Sequence, residues 1–126
     1  MNSRIACALA ALMLMACVRD EKYDGLSFDI QSSPPVPVSV EGDRIELVAG
    51  IAVKVEVRPR SAGRSYSRND QVSLRADDDS IFEVYGAEDP REFVLVGLRE
   101  GESCLEVRIN GRMEDCIEVR VLPAQD

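Results

Sequence analysis

The chain has 126 residues and a formal charge of −8 from 23 acidic and 15 basic side chains, and it contains neither histidine nor tryptophan. Without histidine, the usual general base, the usual metal ligand and the usual member of a nucleophilic triad are all missing. The negative surface repels nucleic acid and anionic lipid heads. Carboxylate-based hydrolysis stays chemically open, but it needs a sizeable cleft, and a domain of this size with three Phe and three Tyr offers little room for one. The composition therefore points to a chain that is not an enzyme and needs no cofactor.

In chain order, Met1 to Arg4 supply one positive charge, Ile5 to Met15 an apolar run, and Ala16-Cys17 a small residue followed by cysteine. That is the order of an export signal, in which the cation holds the start at the cytoplasmic face and the small residue lets a peptidase reach the backbone. At about 11 residues the run is roughly half of what spans a hydrocarbon core, so no permanent transmembrane helix is expected. Leu14-Met15-Ala16-Cys17 resembles the lipobox of bacterial lipoproteins. The resemblance implies removal of residues 1–16, a diacylglycerol on the Cys17 thiol and an acylated amino terminus. It also implies an outer-membrane destination, since Val18 rather than aspartate follows the cysteine. Arg4 is the only charge removed with the signal, so the remainder carries −9. Residues 17–35 read as a flexible tether with Pro and Ser, kept extended by Asp20, Glu21 and Asp24.

Residues 36–123 fall into short segments of period two, separated by turn residues. The clearest runs from Ile51 to Arg58, with Ile51, Val53, Val55 and Val57 on one side and Lys54, Glu56 and Arg58 on the other. Arg44 to Val48 alternates likewise, and Val36 to Val40, preceded by proline, reads as an edge strand. Further strands are expected around Val72 and Leu74, over Ile81 to Tyr85 and over Glu92 to Leu98. Leu105, Val107 and Ile109, then Ile117, Val119 and Val121, mark the last two. Roughly seven to eight short strands with turns every 8 to 12 residues predict an all-β, immunoglobulin-like sandwich, with a closed barrel as the structural alternative. No segment holds helical spacing, so parallel crossovers are not expected.

Once Cys7 is removed and Cys17 lipidated, Cys104 and Cys116 remain, in an oxidising compartment. They flank Asn110-Gly111, a strong hairpin signal. A two-residue loop would set Val107 opposite Glu114 and Leu105 opposite Cys116, mixing charge into the apolar face. A three-residue loop with Gly111 in a left-handed bulge position would instead gather Leu105, Val107, Met113, Ile117 and Val119 on one face. It would also place Cys104 directly opposite Cys116. The expectation is therefore that register, with a Cys104–Cys116 disulfide on the outer face.

From Ile45 onward the features resemble group 2 bacterial immunoglobulin-like domains. The pieces are Ile45-Glu46-Leu47-Val48-Ala49-Gly50, Val57-Arg58-Pro59, Asp78-Asp79-Ser80-Ile81-Phe82-Glu83-Val84, Val96-Gly97-Leu98-Arg99-Glu100-Gly101, Leu105-Glu106-Val107 and Ile117-Glu118-Val119-Arg120-Val121. The family's tryptophan is absent, Val72-Ser73-Leu74 standing in that strand. The resemblance implies adhesion, spacing or recognition and brings no catalytic residues.

Two stretches are candidate sites. Asp77, Asp78 and Asp79, helped by Glu83 or Asp70, offer oxygen ligands for calcium, although a solvated turn is the plainer reading. The loop from Pro59 to Asn69 carries Arg60, Arg64, Tyr66 and Arg68, residue types that favour interfaces. The expected function is a non-enzymatic, lipid-anchored envelope module that recognises a protein or an envelope polymer. The alternatives are a small inhibitor or accessory factor of a secreted hydrolase and, furthest, an enzyme built on Asp77 to Asp79.

Overall fold

A computed structural model describes residues 22–125. The signal segment 1–16 and Cys17 lie outside the described residues. Among the described residues there are nine strands: β1 (Tyr23–Ile30), β2 (Ser39–Val40), β3 (Arg44–Val48), β4 (Ala52–Ser61), β5 (Val72–Ala76), β6 (Phe82–Gly86), β7 (Glu92–Gly97), β8 (Gly101–Ile109) and β9 (Arg112–Leu122). One sheet runs β1-β4-β7-β6 and the other β2-β3-β9-β8-β5. The first matches the A-B-E-D order of immunoglobulin sandwiches, and β9-β8-β5 matches their G-F-C order. All neighbours are antiparallel except β3 and β9, which pair in parallel from Arg44↔Glu118 to Val48↔Leu122.

The period-two residues close on one another as the sequence predicts. Val53, Val55 and Val57 of β4, Leu95 of β7 and Phe82 of β6 face Ile45, Leu47, Leu105, Val107 and Val119 of the other sheet, and each is at most 1% exposed. Burial of each such side chain contributes roughly 1.5 to 3 kcal/mol, and the two-sheet arrangement follows from the need to cover both faces. At one corner the backbones of the two sheets come close together. Gly50 N–H donates to the Gly97 carbonyl at 2.8 Å, and a Cβ on Gly97 would lie 2.5 Å from the Val48 carbonyl oxygen. Only glycine allows that approach.

The amino-terminal part of the domain differs from expectation. Residues 23–30 are not tether but strand β1, paired with β4 from Tyr23↔Ser61 to Ile30↔Val55. Leu26 is fully buried, and Tyr23 and Phe28 pack against the core. The register shifts between Tyr23 and Leu26, so Asp24 and Gly25 together oppose Arg60, and Gly25 adopts φ 112°. This bulge puts Tyr23 out of step with Leu26 and Phe28, which hides the period. The edge strand expected over 36–40 shrinks to Ser39–Val40, since Pro37 has no N–H to add to a ladder.

The β8–β9 hairpin also departs from its expected register. Asn110 (φ 54°) and Gly111 (φ 83°) form a two-residue turn between Ile109 and Arg112. Both residues have positive φ, as a type I′ turn requires to follow the right-handed strand twist. The apolar face is rescued further along. The register shifts after Val107, so that Arg108 pairs with Met113, Val107 with Asp115 and Leu105 with Ile117. Glu114 is thus the extra residue of a bulge. Cys104 falls opposite Glu118 and Cys116 opposite Glu106, rather than opposite each other. The cysteines are diagonal neighbours on the outer face, with Cα atoms 5.3 Å apart, and they form the Cys104–Cys116 disulfide. That separation lies within the span of a disulfide. Met113, expected on the core face, is 42% exposed.

Candidate binding surface

The arginine-bearing loop is an ordered turn. Its first part continues strand β4 to Ser61, so Pro59 and Arg60 belong to the sheet. Beyond it, Ser67 N–H donates to Asp70 Oδ2 (2.7 Å), Asn69 N–H to Ser67 Oγ (3.2 Å) and Asp70 N–H to the Ser67 carbonyl (3.1 Å). Such side-chain acceptors close a turn locally. Two distant residues then fasten it. The Arg91 guanidinium donates to the carbonyls of Ser67 (2.8 Å) and Asp70 (2.9 Å). Asn110, at the hairpin tip, donates through Nδ2 to Asp70 Oδ1 (2.9 Å) and accepts Gln71 N–H at Oδ1 (2.9 Å).

The four residues expected to act together are dispersed. Arg64 and Arg68 are exposed, whereas Tyr66 packs against the core. Arg60 instead lies over Gly25, where an added Cβ would meet its Nη2 at 2.4 Å. It lines a hollow of about 510 Å³ with Glu41, Asp43 and Asp115. Beside that hollow, the Tyr23 hydroxyl donates to Asp115 Oδ2 across the two sheets at 2.8 Å. Burial and this hydrogen bond raise the Tyr23 phenol well above its ordinary pKa. Nothing in the sequence marks Arg91 as a residue that holds the loop, and Asn110 signals only a turn.

The three aspartates do not converge either. Asp78 Oδ1 accepts Ser80 N–H (3.0 Å) and Ser80 Oγ (2.6 Å), and these bonds hold its carboxyl below the ordinary value. Its own N–H donates to Ser103 Oγ at 2.9 Å, while Asp77 N–H donates to the Cys104 carbonyl at 3.0 Å. Asp78 therefore serves as the acceptor of a turn. Among the described residues, no three histidine, cysteine or acidic side chains form a group that could hold a metal ion.

An open surface lies where β5 and β6 end their sheets side by side. Among the described residues β5 pairs only with β8 and β6 only with β7, as β1 pairs only with β4 and β2 only with β3, so each leaves one row of backbone groups open to a further strand. Two hollows adjoin this seam and share Leu74, which is half-buried. One, of about 470 Å³, is lined by Arg75, Asp77, Asp79, Glu83, Tyr85 and Glu106 among others. The second, about 710 Å³, lies between Arg68 to Leu74 and Gly86 to Phe93. The Tyr85 hydroxyl donates to Glu83 Oε1, and its ring is 52% exposed. That hydrogen bond raises the phenol above its ordinary value. On the outer face of the neighbouring sheet, Glu106 is 9% exposed and bridges Arg75 (3.0 Å) and Arg108 (3.8 Å). These groups are suited to hydrogen bonding and ion pairing with an extended ligand.

No family model matches this chain, and no curated protein matches it. Its fold is found among solved structures. Domains 1–6 of the surface layer protein SbsC align with a TM-score of 0.54 at 12% identity, over 79% of this chain and 14% of that one. Domains 5–6 of the S-layer protein SbsC align with a TM-score of 0.52 at 13% identity, over 76% and 45%. This chain spans less than half of either. At such identity the likeness is one of fold, an immunoglobulin-like β-sandwich.

Proposed function

We propose that this protein is a non-enzymatic binding module, lipid-anchored through Cys17 to the bacterial cell envelope, which recognises an envelope protein or polymer at the β5–β6 seam. The observation that carries the reading is the pair of adjacent unpaired edges, β5 and β6. They are flanked by Leu74, Tyr85, Asp77 and Asp79, with Arg68 at the second hollow. Backbone groups on such edges bind an extended chain, and side chains along the seam choose which. The absence of histidine from the sequence supports binding over catalysis. The lipobox Leu14-Met15-Ala16-Cys17 supports the anchor, and the resemblance to surface-protein domains supports an envelope location, with the outer membrane as destination.

Metabolic labelling with a radioactive fatty acid tests the anchor, which Cys17→Ser should abolish. Photocrosslinking groups placed at Ser73 or Tyr85, in cells making the full chain, should give defined adducts identifiable by mass spectrometry. The same group at Ser27, on the opposite side of the sandwich, should give none. Equal yields from both sides would remove the seam from the proposal. An adduct with a secreted hydrolase whose activity falls on binding would favour the inhibitor reading.

A further inference from the structure

The structure brings three things to one pole of the sandwich: the point where the chain joins the first strand, the arginine loop and the β8–β9 hairpin tip. The Ala62 N–H donates to the Lys22 carbonyl at 2.9 Å, and Tyr23 pairs with Ser61. The Asn110 N–H donates to the Gln71 carbonyl at 2.8 Å, and Val72 pairs with Ile109. Segments 60–71 and 108–113 together contain five arginines and one acid, Asp70, in a chain of net charge −8. Asp70 accepts hydrogen bonds from Ser67 and Asn110. Arg108 is drawn towards Glu106. Arg64, Arg68 and Arg112 stand exposed, beside Met113.

Distance gives this pole its meaning. From Cys17 to Tyr23 is six residues, roughly 20 Å at full extension at about 3.3 to 3.6 Å per residue. A domain that begins at Tyr23 cannot swing far from a lipidated Cys17, and the pole it keeps nearest the bilayer is the one where β1 starts. We propose that the pole formed by residues 60–71 and 108–113 rests on the anionic headgroups of the bilayer that holds Cys17. This rests on the lipid-anchored reading above. Each cation close to a charged surface is worth roughly fivefold in partitioning. Glu41, Asp43 and Asp115 share a hollow with Arg60, Asp89 shares one with Arg68, and Asp24, Glu88 and Glu114 lie close by in the chain; these acids oppose the pole, so the charge acts only because the anchor supplies proximity. The seam between β5 and β6 then opens sideways, along the membrane.

Hydrogen exchange on the mature lipidated protein tests this, in vesicles of phosphatidylcholine alone and with added phosphatidylglycerol. Amides of 62–71 and 110–113 should exchange about tenfold more slowly on the anionic vesicles, and high salt should erase the difference. The combined variant Arg64→Glu, Arg68→Glu, Arg112→Glu, still lipidated and with an unchanged melting temperature, should lose that protection. A lipidated protein with the same exchange at this pole on both vesicles would overturn the proposal and leave the anchor standing. So would protection at 49–51 and 98–100 instead. An intact mass without lipid on Cys17 would overturn the anchor and this proposal together.

Discussion

Tyr23 and Asp115 join the two sheets through a single hydrogen bond at the edge of the core, and the sequence offers no sign that they meet. They are far apart in the chain, and each sits beside a bulge that breaks its strand's alternation. Since Tyr23 is raised above its ordinary pKa when folded, the folded state retains the phenol proton longer than the unfolded chain. Its contribution is therefore fully present below the unfolded value of about 10 and is lost as pH rises through the higher folded value. Tyr23→Phe should cost about 1 kcal/mol at neutral pH, and its unfolding free energy should fall less steeply above pH ~10 than that of the wild type. Urea unfolding across that range measures both. The difference between the two 295 nm absorbance titrations isolates the Tyr23 step, and a midpoint at or below the ordinary phenol value would remove the hydrogen bond from the account.

Among the elements, the hairpin β8–β9 combines a turn, a bulge and a covalent link. Its disulfide closes a sequence separation of 12, for which chain entropy gives roughly 2 to 3 kcal/mol. The double variant Cys104→Ser, Cys116→Ser should lose about that much in urea unfolding while keeping the far-ultraviolet spectrum of the sandwich. A loss near zero would mean that the Asn110-Gly111 turn already closes the loop in the unfolded chain. The cysteine pair was legible because two thiols flank a strong turn signal. The register was not, because the sequence does not say whether a bulge falls at the turn or at Glu114, where the structure has it. The same limit explains β1. Leu26 and Phe28 alternate, but Gly25 shifts Tyr23 out of phase, and the prolines and serines that follow dominate the composition of the stretch. The regular strands of the core, free of bulges, were readable from their side chains alone. Where the unpaired edges lie depends on topology, so the seam at β5 and β6 could not be read from residues one strand at a time.

For the molecule as a whole, the first strand is structural. A chain beginning at Gln31 would remove Leu26, which is fully buried, and bare the edge of β4. Losses of several kcal/mol are expected from the vacated core alone, and the shortened chain should aggregate or melt far below the chain that begins at Lys22; thermal unfolding by circular dichroism would decide. Near-equal melting temperatures would return residues 23–30 to the role of a tether. The parallel pairing of β3 with β9 and the placing of β1 carry a mechanical consequence. The chain joins the sandwich at one pole, at Tyr23, and its last strand ends at the other, at Leu122. A pull between those residues runs along the strands, so the β1–β4 and β3–β9 ladders are loaded in shear, with several hydrogen bonds strained at once. A pull between Gly101 and Leu122, whose strands end side by side at the same pole, would open β8 from β9 one pair at a time. Single-molecule stretching should find the first direction markedly stronger.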